Sequence, residues 1–213
     1  TYPNRDSLTY IPLYQLETAQ NFIRTTLRYP EFCEGWNWLI QLGCTAADNQ
    51  INTEGMRYSD YFQLQLTQSQ IQINQIPPHI MQMLIEIGWE DPNLIRLRSG
   101  SSADILQEIL EKKWALQPGD RDMIVMLHEI EYTHDNHAYL LRSQLLVEGD
   151  NEVQTAMAKT VGLPLGIAAI LLLEGKISAR GLHIPTLPEI YIPVMEALED
   201  KGIQFQEQLI QLS

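Results

Sequence analysis

Arg121-Asp122-Met123-Ile124-Val125-Met126-Leu127-His128-Glu129-Ile130-Glu131-Tyr132, then Thr133-His134-Asp135-Asn136-His137, then the Leu-rich run Ala138 to Glu148, read as two strands and the turn between them. Both runs are rich in apolar and β-branched residues, and the first alternates at its far end. Asp135 and Asn136 tolerate the left-handed backbone of a tight turn, so the strands are predicted to be antiparallel neighbours. Gly149-Asp150-Asn151 breaks the second strand, and Asp150 or Asn151 is placed to cap the helix that follows.

That helix is expected from about Glu152 to Glu174. It is apolar on nearly every side between Lys159 and Glu174, which predicts burial against the sheet. The uncharged run is shorter than the roughly 20 residues that span a bilayer, and Pro164 interrupts it. Gly162, Gly166, Ala168 and Ala169 allow close approach of a strand or of a helix from a second subunit.

A chain of 213 residues with 45% hydrophobic residues has enough material for one substantial core or two modest ones. The formal net charge of -13, with no basic run, argues against nucleic acid and against an acidic membrane surface as partners. Cys33 and Cys44 lack the spacing of a zinc or redox pair and are expected as buried free thiols. No signal peptide or lipidation motif is visible, so a reducing cytoplasm is the default compartment. Beginning at Thr1, the chain reads as a piece of a longer protein.

Toward the N-terminus, Leu8 to Leu16 reads as extended. Glu17 to Leu27 has helical spacing through Ala19, Phe22, Ile23 and Leu27, and a second helix is expected from Glu31 to Leu42, ended by Gly43. On the first of these helices Arg24 and Arg28 lie one turn apart, so their guanidinium groups can form a carboxylate clamp. The alternative is ordinary ion pairing with Glu17, Glu31 or Glu34.

The middle, Asn52 to Pro78, is polar and Gln-rich with a broken apolar pattern. Ile80 to Ile87 reads as a helix, and Ser102 can cap another from Ala103 to Leu116 whose apolar face includes Ile105, Leu106, Ile109, Leu110 and Trp114. After the apolar helix, Leu182 to Ile184 is expected as a strand and Leu187 to Lys201 as a helix with a kink or restart near Tyr191 ahead of Pro193. His128, His134 and His137 lie close in sequence, but a turn is a poor frame for a closed metal shell, and no metal is expected. Trp36 and Trp38 cannot share one helix face.

Five separated words, Tyr2-Pro3-Asn4-Arg5-Asp6-Ser7, Ile23-Arg24-Thr25-Thr26-Leu27-Arg28-Tyr29, Gly119-Asp120-Arg121-Asp122-Met123, Gly149-Asp150, and Ala156 to Pro164 with Lys176-Ile177 beyond, together resemble saccharopine reductase (saccharopine dehydrogenase). The resemblance implies an oxidoreductase of lysine metabolism that interconverts saccharopine with 2-aminoadipate semialdehyde plus glutamate, using NADP or NAD. It further implies a dinucleotide-binding domain followed by a substrate domain. This sequence has no Gly-x-Gly-x-x-Gly after an apolar strand. The chain is therefore expected to be the substrate-binding and dimerisation part, without catalytic or cofactor-binding residues of its own and inactive alone. By the resemblance Arg24 binds a substrate carboxylate, the turn at Thr45, Ala46 and Ala47 lines the substrate site, and Arg28 matches its word. Thr25 stands where the family has glycine.

The expected fold is α+β: a mostly antiparallel sheet built on the Arg121 to Glu148 hairpin, with Leu8 to Leu13 and Leu182 to Ile184 as further strands and helices on one face. Residues 1-51 and 118-185 are expected to form the substrate-binding and dimerisation domain, 52-117 a helical insertion, and 186-213 a tail that returns to the dinucleotide domain. A homodimer joined through the sheet's other face or edge is the expected assembly. Other readings are a related lysine or carboxynorspermidine dehydrogenase, or a dimerisation module with no catalytic role.

Overall fold

The computed structural model describes residues 1–4 and 6–212, so Arg5, part of the first resembling word, lies outside the described residues. In chain order the elements are β1 (Tyr2–Pro3), α1 (Tyr10–Leu13), β2 (Thr25–Thr26), α2 (Pro30–Gln41), β3 (Ile51–Asn52), α3 (Tyr58–Ser69), α4 (Pro78–Ile87), β4 (Ser99–Gly100), α5 (Ser102–Lys113), β5 (Met123–His134), β6 (His137–Glu148), a π-helical segment (Ala158–Gly162), α6 (Leu163–Leu173), α7 (Pro188–Glu199) and β7 (Gln206–Leu212). The architecture is α+β with antiparallel pairing in each sheet. The chain divides into two compact units: Thr1–Leu8 with Ala19–Ala115, and Thr9–Thr18 with the chain from Leu116 on.

The first unit is mainly helical. Leu39, Leu42 and Cys44 share one core with Tyr58, Tyr61 and Phe62 of α3, Ile80 and Leu84 of α4, and Ile105 and Ile109 of α5. The segment from 52 on is thus packed into the same core as α2. Pro30, whose missing N–H costs nothing in a first turn, opens α2, and Gly43 at φ +78° closes it. At α5 the cap is Ser101, one residue before the expected Ser102. Its hydroxyl accepts from Asp104 N at 3.1 Å while the Asp104 carboxylate accepts from Ser101 N at 2.8 Å. Ser102 is instead fully buried. The broken apolar pattern after Asn52 resolves into α3, where Tyr58, Tyr61, Phe62 and Gln65 form the inward stripe.

The second unit is built on the hairpin. Asp135 and Asn136, at φ +48° and +62°, form a two-residue turn between strands that run in register from His134↔His137 to Met123↔Glu148. β7 adds to the other edge of β6, giving the order β5-β6-β7. Leu145 and Val147 of β6 are buried with Leu171 of α6, Val194 and Leu198 of α7, and Ile203. The tail from 186 therefore packs within this unit, because β7 finds a free edge and α7 offers an apolar face. α7 runs unbroken across Pro193.

Several expected elements are absent. Leu8 to Leu13 is not a strand: Pro12 cannot donate to a ladder, and the chain closes into the turn α1, with Leu16 N on Ile11 O at 2.9 Å. Leu182 to Ile184 is irregular, folded back by a bond between the His183 ring and Arg180 O. Glu17 to Leu27 is not a helix. Its β-branched Thr25 and Thr26 pair with Pro3 and Tyr2, and Ile23 is 81% exposed, so no core rewards the helical spacing.

The apolar helix also departs from expectation in its start and its burial. Asn151 caps only a turn, accepting from Val153 N and Gln154 N. The helical segment proper begins at Ala156, where the Asp122 carboxylate accepts from Ala156 N at 2.5 Å and Met157 N at 3.0 Å, and the Thr155 hydroxyl accepts from Ala158 N at 2.9 Å. Of α6 only Leu171 is buried, and Leu165 and Leu173 are among the most exposed large hydrophobic residues described.

The cap ties the helix to the hairpin base and constrains its neighbours. A Cβ at Gly149 would collide with the Asp122 carboxylate and crowd the Ala156 nitrogen. Arg121 donates to Gly149 O at 2.6 Å and pairs with Glu148 at 2.9 Å. Partial burial pushes the Asp122 carboxyl up, but the N–H groups of Ala156 and Met157 outweigh it and hold the carboxyl below its usual range. Asp122→Ala should cost about 1–2 kcal/mol in urea unfolding. Gly149→Ala should destabilise in the same direction, and the double variant should cost less than the sum because both act on one contact. The contribution of Asp122 is present above the ordinary aspartate value of about 3.9 and is lost as pH falls through the lower native value. Unfolding midpoints measured from pH 6 down to 2 should therefore converge for wild type and Asp122→Ala. Ser101→Ala should cost about 1 kcal/mol.

Candidate functional site

Arg24 and Arg28 flank the short strand β2 and lie on no helix. Asn4 N donates to Arg24 O at 3.1 Å and the Asn4 amide to the Thr26 hydroxyl at 3.3 Å, so the segment before β1's partner is stitched to the N-terminal segment. Ser7 closes the loop by donating to Asn4 O at 2.5 Å. Two of the words that carry the resemblance are thereby hydrogen-bonded to each other. Both arginines are exposed.

The helix expected to set Arg24 and Arg28 one turn apart is not there: Arg24 precedes and Arg28 follows the short strand β2. Arg28 donates to Leu27 O at 2.8 Å and its guanidinium lies 5.9 Å over the ring of Phe32. Glu34, one of the acidic alternatives for pairing with these arginines, bonds His79 at 2.9 Å.

Thr45, Ala46 and Ala47 follow the α2 cap. Ala46 is fixed at both backbone groups, its N donating to Gly43 O at 3.2 Å and its O accepting from Ala103 N at 2.9 Å, while Ala47 is exposed. A buried network holds this turn: Asn49 donates to the Ser102 hydroxyl at 2.7 Å and accepts from Ser102 N at 2.8 Å, Gln65 donates to the same hydroxyl at 2.8 Å, and Tyr61 donates to Ser102 O at 3.0 Å. Cys44 beside it is free and buried, and burial pushes its thiol up to about 12 even though the Tyr61 hydroxyl favours the thiolate, so it is no nucleophile. Cys33 is free and half-buried.

Thr45 opens onto a groove of about 470 Å3 between the end of α2 and one stripe of α5. Trp36, Leu106 and Leu110 supply its apolar wall, Gln107 and Glu111 its polar edge, and Trp114 one end. Phe32 braces the aromatic side, with ring centroids 5.7 Å from Trp36 and 6.0 Å from Trp114. The groove takes in Thr45 but neither arginine. Sequence reading missed it because positions 103, 106, 107, 110, 111 and 114 form a single helical stripe of mixed polarity, and Trp114, counted with the core face, is half exposed.

The histidines of the hairpin do not converge: His128 stacks on Phe205 at 5.6 Å, and His134 and His137 bond to Asp135. Among the described residues no group of three or more His, Cys, Asp or Glu is arranged to hold a metal ion, and no helix is long and apolar enough to cross a membrane.

Comparison with known proteins places the chain. It is 31% identical over 225 residues to the alpha-aminoadipic semialdehyde synthase, mitochondrial, of Bos taurus, covering 97% of this chain and 24% of that protein. It is 30% identical over 227 residues to the saccharopine dehydrogenase [NADP(+), L-glutamate-forming] of Saccharomyces cerevisiae, covering 98% of this chain and 51% of that one. The solved structure of the apo histidine-tagged saccharopine dehydrogenase (L-Glu forming) from Saccharomyces cerevisiae superposes with a TM-score of 0.80 at 28% identity, over 98% of this chain and 51% of that chain. The chain thus spans from about a quarter to about half the length of these relatives. A profile of the Saccharopine dehydrogenase C-terminal domain matches residues 1–203, and the chain belongs to that family.

Proposed function

We propose that this chain is the substrate-binding part of an NAD(P)-dependent oxidoreductase of lysine metabolism that interconverts saccharopine with 2-aminoadipate semialdehyde plus glutamate. The observation that carries the reading is the joining of the Tyr2 to Ser7 segment to the Arg24 segment, which holds a permanently charged, exposed guanidinium on a fixed backbone. Arg24 binds a substrate carboxylate there. Thr45, Ala46 and Ala47 line the site, with the Thr45 hydroxyl as the side-chain donor, and Arg28 supplies further positive charge. The residues of this chain do not fit a dinucleotide, for want of the glycine-rich turn between strand and helix. Hydride transfer is assigned to the remainder of the enzyme, and this chain positions the substrate. A relative that acts on another amino acid would use the same arginine differently, and turnover of saccharopine against lysine separates the two.

A homodimer is the second part of the reading, favoured by the amount of apolar surface on the second unit. Val125, Leu127 and Leu146 share one exposed face of the hairpin, and Ile130, Leu141 and Leu209 form a row across the other face beyond the helices. The outer edge of β5 is twelve residues long and has no paired strand among the described residues.

A charge-assisted hydrogen bond contributes about 1.5–3 kcal/mol. In the enzyme that contains this chain, Arg24→Ala should therefore weaken saccharopine binding by about tenfold to a hundredfold. Isothermal titration with saccharopine, and with glutamate as the smaller control, checks this; an unchanged dissociation constant would count against Arg24. For the dimer, sedimentation equilibrium of Val125→Asp with Leu127→Asp should show monomer where wild type shows dimer.

A further inference from the structure

The groove beside Thr45 has a charge pattern that the carboxylate-binding reading does not use. α5 carries three carboxylates near it, and two are committed. Asp104 accepts from Ser101 in the cap, and Glu108 accepts from the backbone N–H groups of Arg96 and Leu97 at 2.8 and 2.7 Å. Glu111 is different. Among the described residues it accepts only from the Gln107 amide, at 2.7 Å, and both side chains border the groove.

The lysines of the last turn are engaged elsewhere: Lys113 pairs with Asp91 at 2.6 Å, and Lys112 lies 5.3 Å over the Tyr58 ring. The groove therefore presents a carboxylate at its polar edge, two leucines and an indole along its apolar wall, and a second indole at one end. Indole faces attract cations, and just outside the groove the Arg28 guanidinium lies 5.9 Å over the neighbouring Phe32 ring. Its volume falls within the usual range of small-molecule sites, which are mostly apolar with a few placed polar groups.

We propose that this groove binds a small primary alkylammonium ion. The methylene chain lies along Leu106 and Leu110, and the ammonium reaches the Glu111 carboxylate against the Trp114 ring. Anions are disfavoured, because Glu111 stands at the edge and no cationic side chain lines the groove. A neutral chain of the same length keeps only the apolar contact. The groove shares Thr45 with the proposed substrate site but takes in neither arginine: it reads positive charge where Arg24 reads negative charge, and the two assignments are tested by different variants.

The test titrates n-pentylammonium into the 213-residue chain at pH 7 and follows the four tryptophan indole N–H resonances, assigned with Trp36→Phe and Trp114→Phe. Pentan-1-ol and pentanoate serve as the neutral and charge-reversed controls. The expected result is saturable shifts at Trp36 and Trp114 with a dissociation constant of about millimolar, in keeping with so small a ligand. Pentan-1-ol should bind about fivefold or more weakly, and Glu111→Gln should weaken the amine by a similar factor. Glu111 is exposed, so the variant keeps the fold, as circular dichroism would verify. Equal binding of pentan-1-ol, an unchanged Glu111→Gln, shifts confined to Trp38 and Trp89, or no saturation would each overturn the proposal. Tighter binding of an oligolysine peptide than of the free amine would overturn the small-molecule occupant.

Discussion

The second unit depends on one carboxylate, that of Asp122, which takes the backbone N–H groups of Ala156 and Met157 at the start of the apolar helical segment. These N–H groups have no partner within the helix, and the positive end of the helix dipole favours a negative charge beside them. Because Asp122 sits just before β5, the same bond that satisfies the helix start also fixes it to the base of the hairpin. Gly149 must then lack a side chain, since the carboxylate passes where a Cβ would stand. Lys159 completes the arrangement by reaching back to Glu148 O and Asp150. Three of the words that resemble the family, around Asp122, Gly149 and Ala156, are thus parts of one contact.

The first unit follows a different rule, in which a buried polar network inside an apolar core positions a turn. Ser102 is the hub: its hydroxyl and backbone take Asn49, Gln65 and Tyr61. Burying these groups is tolerable only because each finds a partner, and no buried side-chain nitrogen or oxygen among the described residues lacks one. The result is a rigid link between α5 and the turn at Thr45, and the groove lies along that link. Its character follows from packing, since Phe32 holds Trp36 and Trp114 in one wall.

Exposed apolar surface is concentrated on the second unit, on α6 and on the parts of the hairpin that α6 and α7 do not reach. A helix that is apolar all round has no preferred inward face, so hydrophobicity alone cannot say which side meets the sheet. In this chain a single residue of α6 is buried.

The hairpin with its Asp135-Asn136 turn, the helices α2, α4, α5 and α7, and the family itself were legible in the sequence, because each rests on local chemistry: alternation, capping residues, left-handed turn residues and short words. Arg24 could be named from one of those words, and Thr45 from what the resemblance implies for the turn after the second helix. Their surroundings could not. The helical spacing of Glu17 to Leu27 was overruled by a long-range ladder between Thr25, Thr26 and the N-terminus, and the strand expected at Leu8 met Pro12 and had no partner. The cap on the apolar helix comes from Asp122, 34 residues before Ala156 in the chain, where no local rule would look. The groove joins Thr45 and Trp36 to a stripe of α5 that begins at Ala103. Local propensity is set by neighbours in sequence, whereas ladders, distant caps and grooves are set by which surfaces the folded chain brings together, and only the tertiary structure decides that.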